Sequence, residues 1–215
     1  AARAPHAIGR WLRLGTAGTS VAAVMLLLVA DGYYQRAIND STLTTASRIS
    51  WLHRSLRLMP LSANAHEALA QQHWDAVLGR VGDRKANLDA MVSAAETAAA
   101  LDPGSAHRQW ILGSSYFLGQ TSKRPQWPRV IEHLERAIAY DFHDPTYYQS
   151  LADAYLRLGW RGHARATITA ALALYPEAEI GRITYGHVIY ERLGLREKLD
   201  GLRRLLPLTE PPSAE

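Results

Sequence analysis

Residues 145–176 carry the pattern that most restricts how this chain folds. Tyr148, Leu151, Ala152 and Tyr155 form one run of large and small side chains, and Ala164, Ile168 and Ala171 form a second. The separations of three, four and seven residues put each run on one face of an α-helix. Gly159 falls between the runs, where a turn is needed, and Pro176 stops the second. Composition points the same way. Hydrophobic residues make up 47% of the 215 positions and aromatics only 8%, in an Ala- and Leu-rich chain that favours helix over strand. A charged fraction of 20% excludes a disordered chain.

Position for position, this stretch resembles a tetratricopeptide repeat. The resemblance implies two antiparallel helices, with small residues where they touch and large ones filling the space toward the next pair. The following unit keeps the phase through Tyr185, Gly186, Ile189, Lys198, Leu202 and Leu205, with a turn expected at Leu193-Gly194 and a stop at Pro207. The preceding unit has Leu112, Gly113 and Tyr116, then Leu134 and Ala137, with extra residues between its helices within 120–128. Before that, Leu69 and Ala70 mark a first helix and Ala95, Ala98 and Asp102-Pro103 a second, stretched around Trp74 to Asn87. The resemblance covers residues 62–206, enough units for a continuous core. Ser41 to Met59 reads as a lone second helix within a connecting segment at 35–61, and 207–215 as a loose tail.

The N-terminus has a different character. No charge occurs from Leu14 to Ala30, a run of roughly 26 Å as a helix, the short end of what spans a bilayer core. Trp11 stands at one end and Tyr33 and Tyr34 at the other, as aromatic residues do at membrane interfaces. Arg3, Arg10 and Arg13 precede the run, so the positive-inside rule puts residues 1–13 in the cytoplasm and everything past a span at 14–34 outside, in the periplasm if the source is bacterial. A signal peptide and a buried core helix are the competing readings. The first lacks a good cleavage site after Leu28-Val29-Ala30, and the flanking charge argues against the second. Gly15, Thr19 and Ala23, with Gly18 and Ala22, give the span a small-residue face suited to packing on another membrane helix. The expected architecture is all-α: a transmembrane helix, a connecting helix, and a tetratricopeptide-like α-solenoid of about four helical hairpins. A weaker resemblance, in the order of elements, is to the extracytoplasmic tail of O-antigen ligase and polymerase proteins; no catalytic loop of that family is present.

Little in the chain suggests chemistry. Absence of cysteine rules out disulfides, thiolate metal sites and a Cys nucleophile. His66-Glu67 begins like a zinc-protease helix, but the residue four after His66 is Ala70, and His66 and His73 have no third ligand nearby. There is no phosphate-binding glycine loop, and Ser114-Ser115 is not on a nucleophile elbow. Asp141 and Asp144 sit at a repeat boundary, where capping the next helix is the ordinary role. No catalytic residue, cofactor or metal is therefore expected. The net charge is +4, but Arg3, Arg10 and Arg13 supply three of these charges, so the body of the chain is close to neutral and a nucleic-acid partner is not expected.

The surface left for function is the concave face that the resemblance assigns to the first helix of each pair. By phase it offers Glu67, Gln71 and Trp74, then His107, Trp110, Ser114 and Phe117, then Gln149, Asp153 and Leu156, and last Ile183, His187 and Tyr190. Large amphipathic aromatics at such positions are typical anchors for a partner. The expectation is a membrane-anchored scaffold for protein–protein interaction. It would take a peptide or protein segment in the groove, hold integral membrane subunits through the anchor, and serve a larger complex. The alternative is an accessory of cell-envelope polysaccharide assembly that binds glycan or the polymerase; a soluble secreted chaperone is a third.

Overall fold

A computed structural model of the chain describes residues 6–119, 126–175 and 188–209, with side chains from 22 onward and, in the last stretch, from 197. Nine α-helices lie among them: α1 His6–Asn39, α2 Thr45–Leu58, α3 Ala63–Leu78, α4 Arg84–Leu101, α5 Ala106–Leu118, α6 Trp127–Tyr140, α7 Pro145–Arg157, α8 Arg161–Ala173 and α9 Val188–Leu205, followed by a 3-10 turn at Leu206–Thr209. Short polar side chains start many of them. Thr44, Ser62, Asp83, Ser105 and Asp144 each accept a backbone N–H in the first turn of α2, α3, α4, α5 and α7.

Successive helices pair as α1/α2, α3/α4, α5/α6 and α7/α8, and each pair leans on the next. α3 touches α5 and α5 touches α7, so the first helices of successive hairpins stand side by side. The repeat residues form the seam. Tyr148, Leu151, Ala152, Tyr155, Ala164, Ile168 and Ala171 are all buried, with Ala70, Ala95, Leu112, Leu134 and Ala137 in the earlier hairpins. Two glycines are required by geometry. Gly159 turns α7 into α8 at φ +75°, a conformation that costs any L side chain. Gly113 lets α5 approach α6 so closely that a Cβ would lie 2.9 Å from Leu134 Cγ.

The structure departs from the sequence expectations in three places. The lone helix expected at Ser41 to Met59 has a partner: the C-terminal part of α1 packs along α2, burying Ala30, Ala37 and Leu52. The turn expected at Leu193-Gly194 is absent. α9 runs straight through, because Gly in a helix interior costs only about 1 kcal/mol and stops nothing by itself. The tail starts as a 3-10 turn with Thr209 buried and its hydroxyl donating to Leu206 O, so the chain stays attached to α8 and α9 as far as that residue. No helix among the residues described with side chains is long and apolar enough to cross a membrane. The expected span at 14–34 lies within α1, but its side chains up to 21 are outside those described.

Candidate partner-binding groove

Trp110 on α5 is the centre of a row of rings carried by three first helices. Its centroid lies 6.0 Å from Trp74 on α3, 6.1 Å from Tyr147 on α7 and 5.3 Å from His107 one turn back. The indole Nε1 donates to Ser150 Oγ at 2.8 Å, and that hydroxyl donates to Thr146 O at 3.0 Å. Trp110 thereby fixes α5 against α7 while keeping part of its ring exposed. Burial, then the carboxylates of Asp144, Asp141 and Glu67, push the Tyr147 phenol up to about 12, so it stays a neutral donor.

The structure sorts the expected groove residues into tied and free. Glu67 is tied: its Oε2 lies 2.9 Å from Arg108 Nε, an ion pair rather than an aligned hydrogen bond, and its Oε1 lies 3.5 Å from His107 Nε2. Arg108 is only 10% exposed and also meets Asp102 and Asn64, so it binds α3 to α5. Gln71 donates to Asp75 Oδ1 along its own helix at 3.1 Å. Phe117 meets the edge of Trp127 at 5.8 Å, with the Arg157 guanidinium over its face at 4.8 Å. Gln149 packs on α9, where a Cβ on Gly201 would lie 3.2 Å from its Oε1. Ser114 is buried.

His107 and Asp153 differ. The His107 ring meets Glu67 and Trp110 on one side and is half exposed on the other. Asp153 is half-buried and makes no hydrogen bond among the described residues. Burial raises its pKa, against a weaker pull from Arg157. His187, with Ile183, lies outside the described residues, as does the side chain of Tyr190 at the start of α9. Of the small residues on α1, Ala22 and Ala23 are exposed, and Gly15, Gly18 and Thr19 precede the residues described with side chains.

Three features went unread in the sequence. Tyr147 is hidden beside the repeat residue Tyr148, and Arg108 beside the groove position His107. The third is a hollow of about 400 Å³ between α6 and the α7–α8 turn, lined by Trp127, Pro128, Ile131, Leu158 and Trp160, with Glu132 and Glu135 at its side. Trp160 stacks on Tyr155 at 6.0 Å and leaves about half its surface open, 49%. Among the residues described with side chains, no three His, Asp or Glu side chains gather as a metal site. His73 bonds Asn87 Oδ1 at 2.9 Å and His66 bonds Pro60 O at 2.9 Å, so the pair considered from the sequence faces two different partners.

The fold is that of a tetratricopeptide-repeat protein. No protein-family model matches the sequence, and no curated protein matches it. Solved structures do match at the level of the fold. One is the crystal structure of MamA protein, with a TM-score of 0.55 and 20% identity over 86% of this chain and 91% of that one. Another is TTC0263, a thermophilic tetratricopeptide protein of Thermus thermophilus, at 0.54 and 16% identity over 86% and 93%. A third is YrrB, described as a tetratricopeptide protein with an unusual peptide-binding site, at 0.53 and 16% identity over 82% and 88%.

Proposed function

We propose that this chain is a membrane-anchored tetratricopeptide scaffold that holds a protein partner in its groove, as an accessory subunit of a larger membrane complex. The observation that carries the reading is the ring row of Trp74, Trp110 and Tyr147, flanked by an exposed His107 and a half-buried carboxylate at Asp153 that makes no hydrogen bond among the described residues and has only the charge of Arg157 to offset its burial. A partly desolvated carboxylate without a hydrogen bond costs stability, which a basic or hydrogen-bonding group on a partner would recover. That YrrB, of like fold, is described as having a peptide-binding site supports a peptide segment as the occupant. Phe117, Gln149 and Gln71 would form its margins.

The anchor is part of the same proposal. Val24 to Val29 are all exposed, and six consecutive residues pass more than once round a helix, so the described residues bury no face of that stretch. With the uncharged run from Leu14 and the arginines before it, this favours a single-pass helix with the N-terminus cytoplasmic and the array extracytoplasmic. The small face at Gly15, Gly18, Thr19, Ala22 and Ala23 would meet a helix of an integral subunit. The mechanism is passive: confinement at the membrane raises the effective concentration of a partner there.

Capture of the full chain from native membranes in mild detergent tests this. Discrete integral and soluble subunits are expected with the unaltered protein, and loss of the soluble one with His107→Glu and Asp153→Asn together, in a variant whose helix content and cooperative unfolding are retained. Purification alone and monodisperse would overturn it. A second reading, an accessory of envelope polysaccharide assembly, has the Trp127–Trp160 hollow in its favour, since exposed indoles beside carboxylates suit sugar rings. Glycan-dependent protection of those indoles from oxidation would favour it.

A further inference from the structure

Two contacts fix how α1 and α2 are matched. Ser55 Oγ donates to Ala30 O at 2.8 Å, and the rings of Tyr33 and Trp51 lie 5.4 Å apart. In an antiparallel pair these put Leu27 level with Leu58, the last residue of α2. Everything on α1 before Leu27 therefore projects past the edge of the array at which α2 gives way to α3. Leu61 at that edge is 79% exposed, and Leu58 is exposed too. Arg54 and Arg57, on the last turns of α2, are exposed and have no acidic partner among the described residues. One turn further in, Arg36 and Arg54 lie over the Trp51 ring at 4.8 Å and 4.5 Å.

We propose that this edge, formed by Arg54, Arg57, Leu58 and Leu61, is a second membrane contact that seats the array on anionic phospholipid headgroups beside the anchor. The proposal rests on the anchored reading above and deepens it. Lipid is the occupant for two reasons on the molecule itself. The edge is continuous with the exposed apolar stretch Val24 to Val29, so it stands at the depth where that stretch leaves the hydrocarbon. Its layering also fits: aliphatic side chains outermost, guanidinium groups next, and the Tyr33–Trp51 pair behind them, the order an anionic interface favours. A single helix would let the array swing. A second contact sets its tilt, and with it the direction the Trp110 groove faces.

The chain has no cysteine, so single sites can be labelled cleanly. Leu61→Cys and Leu78→Cys, the latter exposed at the far end of α3, would each carry a polarity-sensitive dye. The full chain would be reconstituted in phosphatidylcholine–phosphatidylglycerol vesicles containing a quencher-bearing lipid. Position 61 is expected to be blue-shifted and at least twofold more quenched than position 78. Arg54→Glu with Arg57→Glu, or vesicles of phosphatidylcholine alone, should abolish that difference while the protein still floats with the vesicles. Equal, water-like emission at both sites in floating protein would overturn the docking and leave the anchor standing. Quenching at 61 that tracks protein-to-lipid ratio would overturn it in favour of a second copy of the chain. Release by alkaline carbonate would overturn the anchored reading and the docking with it.

Discussion

The phenol of Tyr155 on α7 donates to Glu135 Oε1 on α6 at 2.9 Å, and the contact is a repeat feature. Tyr116 on α5 makes the same bond to Glu96 on α4 at 2.6 Å, and both pairs span twenty residues. Burial, then the accepting carboxylate, pushes each phenol up to about 12. In these two hairpins the repeat tyrosine thus packs by its ring and also fastens its hairpin to the one before. Tyr155→Phe and Tyr116→Phe should each cost about 1 kcal/mol, the usual value of a lost hydrogen bond, with no change in helix content. Urea unfolding of the purified chain followed by circular dichroism measures this. A cost near zero would mean that the rings alone carry the joint.

Arg108 should be the more sensitive member of the α3–α5 tie. Arg108→Ala removes a nearly buried cation from Glu67, Asp102 and Asn64 together, for about 2 kcal/mol. Glu67→Ala leaves the guanidinium two partners and should cost about 1 kcal/mol or less. The same unfolding measurement ranks them, and the reverse order would contradict the clamp.

Gly113 and Gly162 should respond to alanine with opposite signs. At Gly113 the new Cβ meets Leu134 Cγ at 2.9 Å and its backbone N at 3.2 Å, so overpacking of about 1–3 kcal/mol outweighs the gain in helix propensity. At Gly162 nothing lies within 4 Å, and Gly162→Ala should stabilise by about 0.5 kcal/mol. Melting temperatures of the two variants decide it.

His133 and Asp153 set opposite pH dependences. His133 is half-buried against the Tyr116 ring and its Nδ1 lies 2.8 Å from Gln109 Oε1; partial burial lowers its pKa below the ordinary 6.5. The unfolded chain then takes up the proton first, so stability is full above about pH 6.5 and falls as pH drops toward the folded-state pKa. Asp153 is raised, so the folded state holds its proton longer and loses stability as pH rises above about 4. His133→Gln should flatten the acid side of the stability curve, and Asp153→Asn should stabilise at neutral pH but not below pH 4. Unfolding free energies across pH 3 to 8 test both signs.

Much of the fold was legible because the repeat signal is local. The residues from Tyr148 to Ala171 declare two helices, their touching faces and the turn at Gly159 within one short stretch. The pairing of α1 with α2 was not legible. Uncharged residues before Ala30 read as lipid-facing, and nothing in that composition shows that Ala37 meets a neighbouring helix. Gly194 misled in the opposite way: a glycine at the expected phase reads as a turn, yet α9 continues through it.

The groove was legible only as a set of positions. Phase along each first helix picked out Glu67, Trp110, Phe117 and Asp153, because helical periodicity is a property of the chain itself. Which of them stayed free was decided between hairpins, by Arg108 reaching Glu67, Ser150 reaching Trp110 and Arg157 covering Phe117. Those contacts depend on the offset of one hairpin against the next, which the local pattern of neither hairpin specifies. Sequence alone therefore determined the helices and their inward faces; tertiary packing determined which outward side chains were left without a partner.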